Sequence, residues 1–144
     1  MGNAAFAAAG SSGQIATEDY QPGVCNIGPA EIARRRRAGH VGLIATAILF
    51  AVLLIIGAPP LARLLLILPA AAAASGYLQA RFKFCAGFGS RGVFNFGDVG
   101  PTERVEDDGA RALDRARARQ IGLASLAIGV VVGVLAVLLA VAGI

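Results

Sequence analysis

Hydrophobic residues make up 56% of this 144-residue chain and charged residues only 15%, with a formal net charge of +4. A soluble chain carries about 25% charge spread over all its amphipathic elements; here charge is missing from three long blocks and dense between them, the distribution of a bilayer protein. The basic excess does not point to nucleic acid, because all but one of the basic residues flank apolar blocks, where each can meet an anionic lipid headgroup at about 1 kcal/mol, and no basic stripe with stacking readers accompanies them.

Residues 1–24 read as a disordered tail. Gly2 lacks the Ser or Thr that a myristoylation signal needs where Phe6 stands. The Ala4–Ala9 stretch is too short for a signal-peptide core and has no basic residue before it. Gly10-Ser-Ser-Gly13 and Tyr20-Gln-Pro-Gly23 are linker and turn chemistry. Residues 25–40 read as an interfacial lead-in helix: Pro29 suits a first helical position and Glu31 the positive end of the helix dipole. Such a helix sets Arg34, Arg35, Arg36 and Arg37 round its circumference, and anionic headgroups would offset their repulsion.

Residues 41–97 read as a transmembrane hairpin with a Phe/Gly loop. The first span, Val41 to Gly57, is about 25 Å long and nearly crosses a hydrocarbon core of about 30 Å. Pro59-Pro60 predicts a tight turn. In the second span, Leu61 to Ala80, Arg63 is placed to snorkel outward and Pro69 to kink the helix by freeing the Leu65 carbonyl. The Ala70–Ala74 run with Ser75 and Gly76 offers a smooth packing side. Five of the seven phenylalanines then fall among repeated glycines between Arg81 and Gly97, which predicts a loop on, or partly re-entering, the membrane face.

Residues 98–144 read as a charged helix, starting between Thr102 and Gly109, that continues into the third span. Asp107 and Asp108 are spaced to pair with Arg111, and Asp114 with Arg117. Gly129-Val-Val-Val-Gly133 is a GxxxG spacing, with Gly122 one heptad upstream, and suits close helix packing within the chain or to a partner.

The fold expected is therefore an all-α membrane protein with three transmembrane helices, a hairpin plus one. Twelve of the thirteen basic residues then lie on one side, which the positive-inside rule makes cytoplasmic. That places the chain in a cytoplasmic (inner) membrane with the N-terminus in and the C-terminus out, and leaves the cytoplasmic face as the place for a site.

Four candidate features meet there. Cys25 and Cys85 are a possible thiol site, since a cationic neighbourhood favours thiol reactivity, though a reducing cytosol makes two ordinary free cysteines the plainer reading. His40 is an interfacial residue or a ligand, but with one His and two Cys the chain cannot close a four-ligand metal site. Arg34–Arg37 with Phe82, Phe84 and Phe88 are expected as interfacial anchors. Gly122, Gly129 and Gly133 are the helix-packing residues. No catalytic set, cofactor motif or metal motif is present in the sequence, and no Asp, Glu or Lys lies inside a span to carry protons or ions.

The run Cys25-Asn-Ile-Gly-Pro-Ala-Glu-Ile-Ala-Arg-Arg-Arg-Arg-Ala-Gly39, followed by a helical hairpin and Cys85, resembles a family of small inner-membrane two-helix domains that in some bacteria are fused to rhodanese modules. Asn26, Gly28, the arginines and Gly39 carry the resemblance, which covers residues 25–97. The family often has Cys-Pro where this chain has Cys85-Ala86, and no rhodanese module is present, so the resemblance implies no activity and only favours the thiol reading. Three functions are expected in order: an accessory or structural subunit without catalysis, packing against a membrane-protein partner or a second copy; a thiol- or sulfur-handling protein using Cys25 and Cys85; and a small holin-like pore former.

Overall fold

The structure, a computed structural model, describes residues 19–144. Its elements are helix α1 (Pro29–Ile55), a 3-10 segment (Pro60–Leu66), helix α2 (Ile67–Arg81), a short helix α3 (Ala86–Arg91), an antiparallel pair β1 (Val93–Phe94) and β2 (Glu103–Arg104), and helix α4 (Asp108–Val141). Three helical stretches, Pro29–Ile55, Pro60–Arg81 and Asp108–Val141, are long and apolar enough to cross a membrane.

Helix α2 is the centre of the bundle: α1 packs along one side of it and α4 along another, and α1 and α4 scarcely meet. Glycine makes both approaches possible. A Cβ on Gly42 would stand 2.6 Å from the backbone nitrogen of Ala73, and one on Gly76 would strike the backbone of Gly39. On the other side a Cβ on Gly129 would stand 2.6 Å from the Ile67 carbonyl oxygen, and one on Gly133 2.5 Å from the Ile67 side chain. The GxxxG pair is thus occupied within the chain. Among the described residues nothing outside its own helix lies within 4 Å of a Cβ on Gly122, so it is not used within the chain as the other two are. Their contact with α2 is set by the Gly129 and Gly133 register, and Gly122 falls outside it.

The outward faces of the helices are bare. Ile44, Ile48, Leu68 and Leu123 are all more than half exposed, and Ile55 is 84% exposed. Soluble monomers rarely leave so continuous an apolar belt uncovered; such a belt marks a membrane or protein interaction surface.

Two expectations for the hairpin change. Pro69 sits in the first turn of α2, where a missing N–H costs little, because Pro60–Leu66 is wound as a 3-10 segment and not as the same α-helix. Arg63 does not snorkel: it is 8% exposed, donates to the Ala136 carbonyl at 2.9 Å and to the Ile144 carbonyl at 3.3 Å, and lies over the Phe50 ring at 5.5 Å. A guanidinium among otherwise apolar helices finds its acceptors in the backbone carbonyls near the C-terminal end of α4.

At the opposite end the polar segments fold into a head. The Phe/Gly stretch carries α3 and β1, and β1 pairs with β2 beyond it. Phe84 is fully buried against Ala118 and Ile121, and Phe88 is buried with Ile27 and Cys85. Neither can anchor to lipid as expected; each fills a small core cluster that the glycine-rich backbone would otherwise leave empty. Phe82 is partly exposed and lies under the guanidinium of Arg117 at 4.5 Å. The expected tail also ends earlier: residues 1–18 lie outside those described, while residues 20–25 turn back on the head, with Gln21 bridged to Cys25. Helix α4 starts where the charge pattern placed it, with the Asp107 carboxylate accepting from the Ala110 N–H at 2.6 Å.

Candidate functional site

The head is built around Asn26. It is fully buried, and its side-chain amide meets both backbone groups of Cys85: Nδ2 donates to the Cys85 carbonyl at 3.1 Å and the Cys85 N–H donates to Oδ1 at 2.7 Å. Its own backbone donates to the Lys83 carbonyl at 3.1 Å and accepts from Asn95 at 3.0 Å. Four hydrogen bonds on one buried residue clamp the N-terminal arm between the end of α2 and the β1 segment. Gly28 completes the clamp, for its Cβ position lies 2.6 Å from the Phe96 carbonyl oxygen.

Beside the clamp lies a charged cluster around Glu31, Arg35 and Cys85. Arg35 Nη2 donates to Cys85 Sγ at 2.9 Å and stands 3.6 Å from Glu31 Oε2. Arg34 stands 3.7 Å from Glu31 Oε1. Glu31 is fully buried, and among the described residues neither carboxylate oxygen has a hydrogen-bond partner. A buried carboxylate held by charge alone is costly, so Arg35, shared between carboxylate and thiol, is the pivot of the cluster. Its guanidinium also lies over the Phe88 ring at 5.7 Å.

The two cysteines are in adjoining segments but are not joined. Cys85 is 2% exposed. Cys25 lines a cleft of about 420 Å³ of mixed character with Asp19, Lys83, Phe82 and Phe96, and its thiol donates weakly to the Ile27 carbonyl at 3.8 Å. Partial burial pushes the Cys25 thiol above its ordinary pKa, opposed by that backbone bond and by the charge of Lys83. Arginine chemistry therefore reaches only one of the two thiols.

Asp114 was spaced to pair with Arg117, yet it is fully buried and accepts from the Tyr20 hydroxyl and the Gly23 N–H, both at 2.7 Å. Arg117 has turned to Phe82 and Gln120. Of the expected pairs, Asp108 with Arg111 is formed, at 3.5 Å. Asp114 shares the inward stripe of α4 with Ala118, Ile121 and Ser125, and that periodicity was the available signal that its partner lay elsewhere. His40 Nδ1 and the Tyr77 hydroxyl lie 2.6 Å apart, joining α1 to α2 at the base of the head. No group of three or more potential metal-ligating side chains occurs among the described residues.

No family model, curated protein or solved structure matches this chain.

Proposed function

We propose that the chain is an integral protein of a cytoplasmic membrane, N-terminus inside, acting without catalysis as a small accessory or structural subunit. One observation carries this reading: the outward faces of α1 and α4 form a bare apolar belt, while the polar groups gather in a head at one end. The helix-packing glycines at 129 and 133 are used internally, so a partner helix would meet the outer faces, where Gly122 stays open. Native electrophoresis after solubilisation in mild detergent tests the reading. A complex with another membrane protein or a second copy is expected; a lone monomer would count against it.

A second reading, thiol or sulfur handling at the cytoplasmic face, draws support from the Arg35–Cys85 contact and from the resemblance to the two-helix inner-membrane family. It centres on Cys85, with Cys25 in the adjoining cleft. Cysteine-to-serine exchange at both positions discriminates: an unchanged phenotype in the double variant would remove it.

A further inference from the structure

Because α1 and α4 both lie on α2 but stand apart from each other, one side of the bundle opens into an apolar groove of about 390 Å³. Ala70, Ala73 and Ala74 form its floor; Leu43 of α1 and Ile128 and Val132 of α4 form its walls. Its polar members are already engaged, Thr46 donating back to the Gly42 carbonyl at 2.8 Å and the Tyr77 hydroxyl bonded to His40. Such a lining offers nothing to a polar ligand and suits hydrocarbon.

The head end of the groove differs. Tyr77 leads to His40, which is exposed and uses one ring nitrogen on Tyr77, leaving Nε2 for another partner. One turn before His40, on the same flank of α1 as Leu43, stands the exposed Arg36. Among the described residues no carboxylate pairs with it. The complement to an apolar trough with two cationic or donor groups at its mouth is an amphiphile with a negative head and an apolar tail.

We propose that this groove binds one acyl chain of an anionic phospholipid, whose phosphate is held by Arg36 and by Nε2 of His40. The proposal rests on the membrane reading above and is independent of the subunit reading. To test it, the full chain is reconstituted in nanodiscs of equal phosphatidylglycerol and phosphatidylcholine, released into mild detergent and weighed by native mass spectrometry. The expected result is one retained phosphatidylglycerol. The double variant Arg36→Gln/His40→Gln lowers its retention about fivefold relative to phosphatidylcholine, the loss of one headgroup charge contact. Ile128→Trp, filling the groove from an exposed position, lowers retention of both lipids. Circular dichroism confirms that each variant keeps its helix content. Equal retention of the two lipids by the wild-type chain, indifference to Ile128→Trp, or a second protein chain in place of lipid would each overturn the proposal. Failure to enter nanodiscs at all would overturn the membrane reading and this inference with it.

Discussion

Helix α1 and helix α2 end in the same hydrogen-bond pattern at opposite ends of the molecule. After α1, Ala58 donates to Leu53 at 3.0 Å and Gly57 to Leu54 at 3.1 Å; after α2, Phe84 donates to Gln79 at 3.0 Å and Lys83 to Ala80 at 3.4 Å. Both are Schellman closures with one left-handed residue. At the far end that residue is Gly57, with φ +61° and nothing near it. In the head it is Lys83, with φ 53°, a conformation costly for a side chain. The far end closes by local chemistry alone. The head holds Lys83 in place because Asn26 binds its carbonyl and the backbone of Cys85 beyond it, so a long-range clamp carries the local strain.

The largest effect should come from the packing that both ends share. Gly42→Leu drives a side chain into the Ala73 backbone and should destabilise the bundle by about 3 kcal/mol or more; thermal unfolding in detergent reads this as loss of both ends together. Asn26→Ala attacks the clamp alone. It leaves the buried Cys85 N–H without its partner, while the Cys85 carbonyl keeps the Gly89 N–H at 2.9 Å, at a cost of about 1–3 kcal/mol. Cys85 should then label rapidly with a thiol reagent while helix content stays unchanged, and unaltered protection of Cys85 would break the contrast drawn between the ends.

The Tyr20–Asp114 contact gives the head a pH response that the far end lacks. Partial burial, then the bond to Asp114, pushes the Tyr20 phenol well above its ordinary value. A raised phenol means that the folded state keeps its proton longer. The contribution is therefore complete below the ordinary tyrosine pKa of about 10 and is lost as pH rises through the higher folded value. Proteolysis near residues 20–24 should quicken in that alkaline window, and in Tyr20→Phe it should be quick at neutral pH with no further alkaline step. The smallest effect is a gain: Lys83→Gly relieves the left-handed strain and should raise stability by about 0.5–1 kcal/mol, whereas the same measurement on Gly57→Lys should show a loss.

The three apolar helices were legible because hydrophobic length is a local property, and so were the turn at Pro59-Pro60 and the start of α4. What escaped reading was set by contacts distant in sequence. Asp114 looked like one half of a helical pair with Arg117, but its partners lie more than ninety residues away. Phe84 and Phe88 carry the aromatic signature of an interface, and nothing local tells a lipid-facing ring from one closing a core of glycine-rich turns. Gly76 was legible as part of a smooth packing side, but Gly39 and Gly42 went unremarked as its packing partners because only one GxxxG spacing stood out. Asn26, Gly28 and Gly39, which carried the resemblance to the two-helix family, all prove to be positions of close packing or hydrogen bonding, so they bear on the fold more directly than on any chemistry.

Helix α4 runs unbroken from Asp108 to Val141. At 1.5 Å per residue its 34 residues extend about 50 Å, roughly 20 Å more than a hydrocarbon core. Its head portion holds the arm through Asp114 and its other portion holds α2 through Gly129 and Gly133. A rod with no joint between those grips is a lever: if α4 spans a bilayer as proposed, a change of tilt set by bilayer thickness would be carried as rotation into the head.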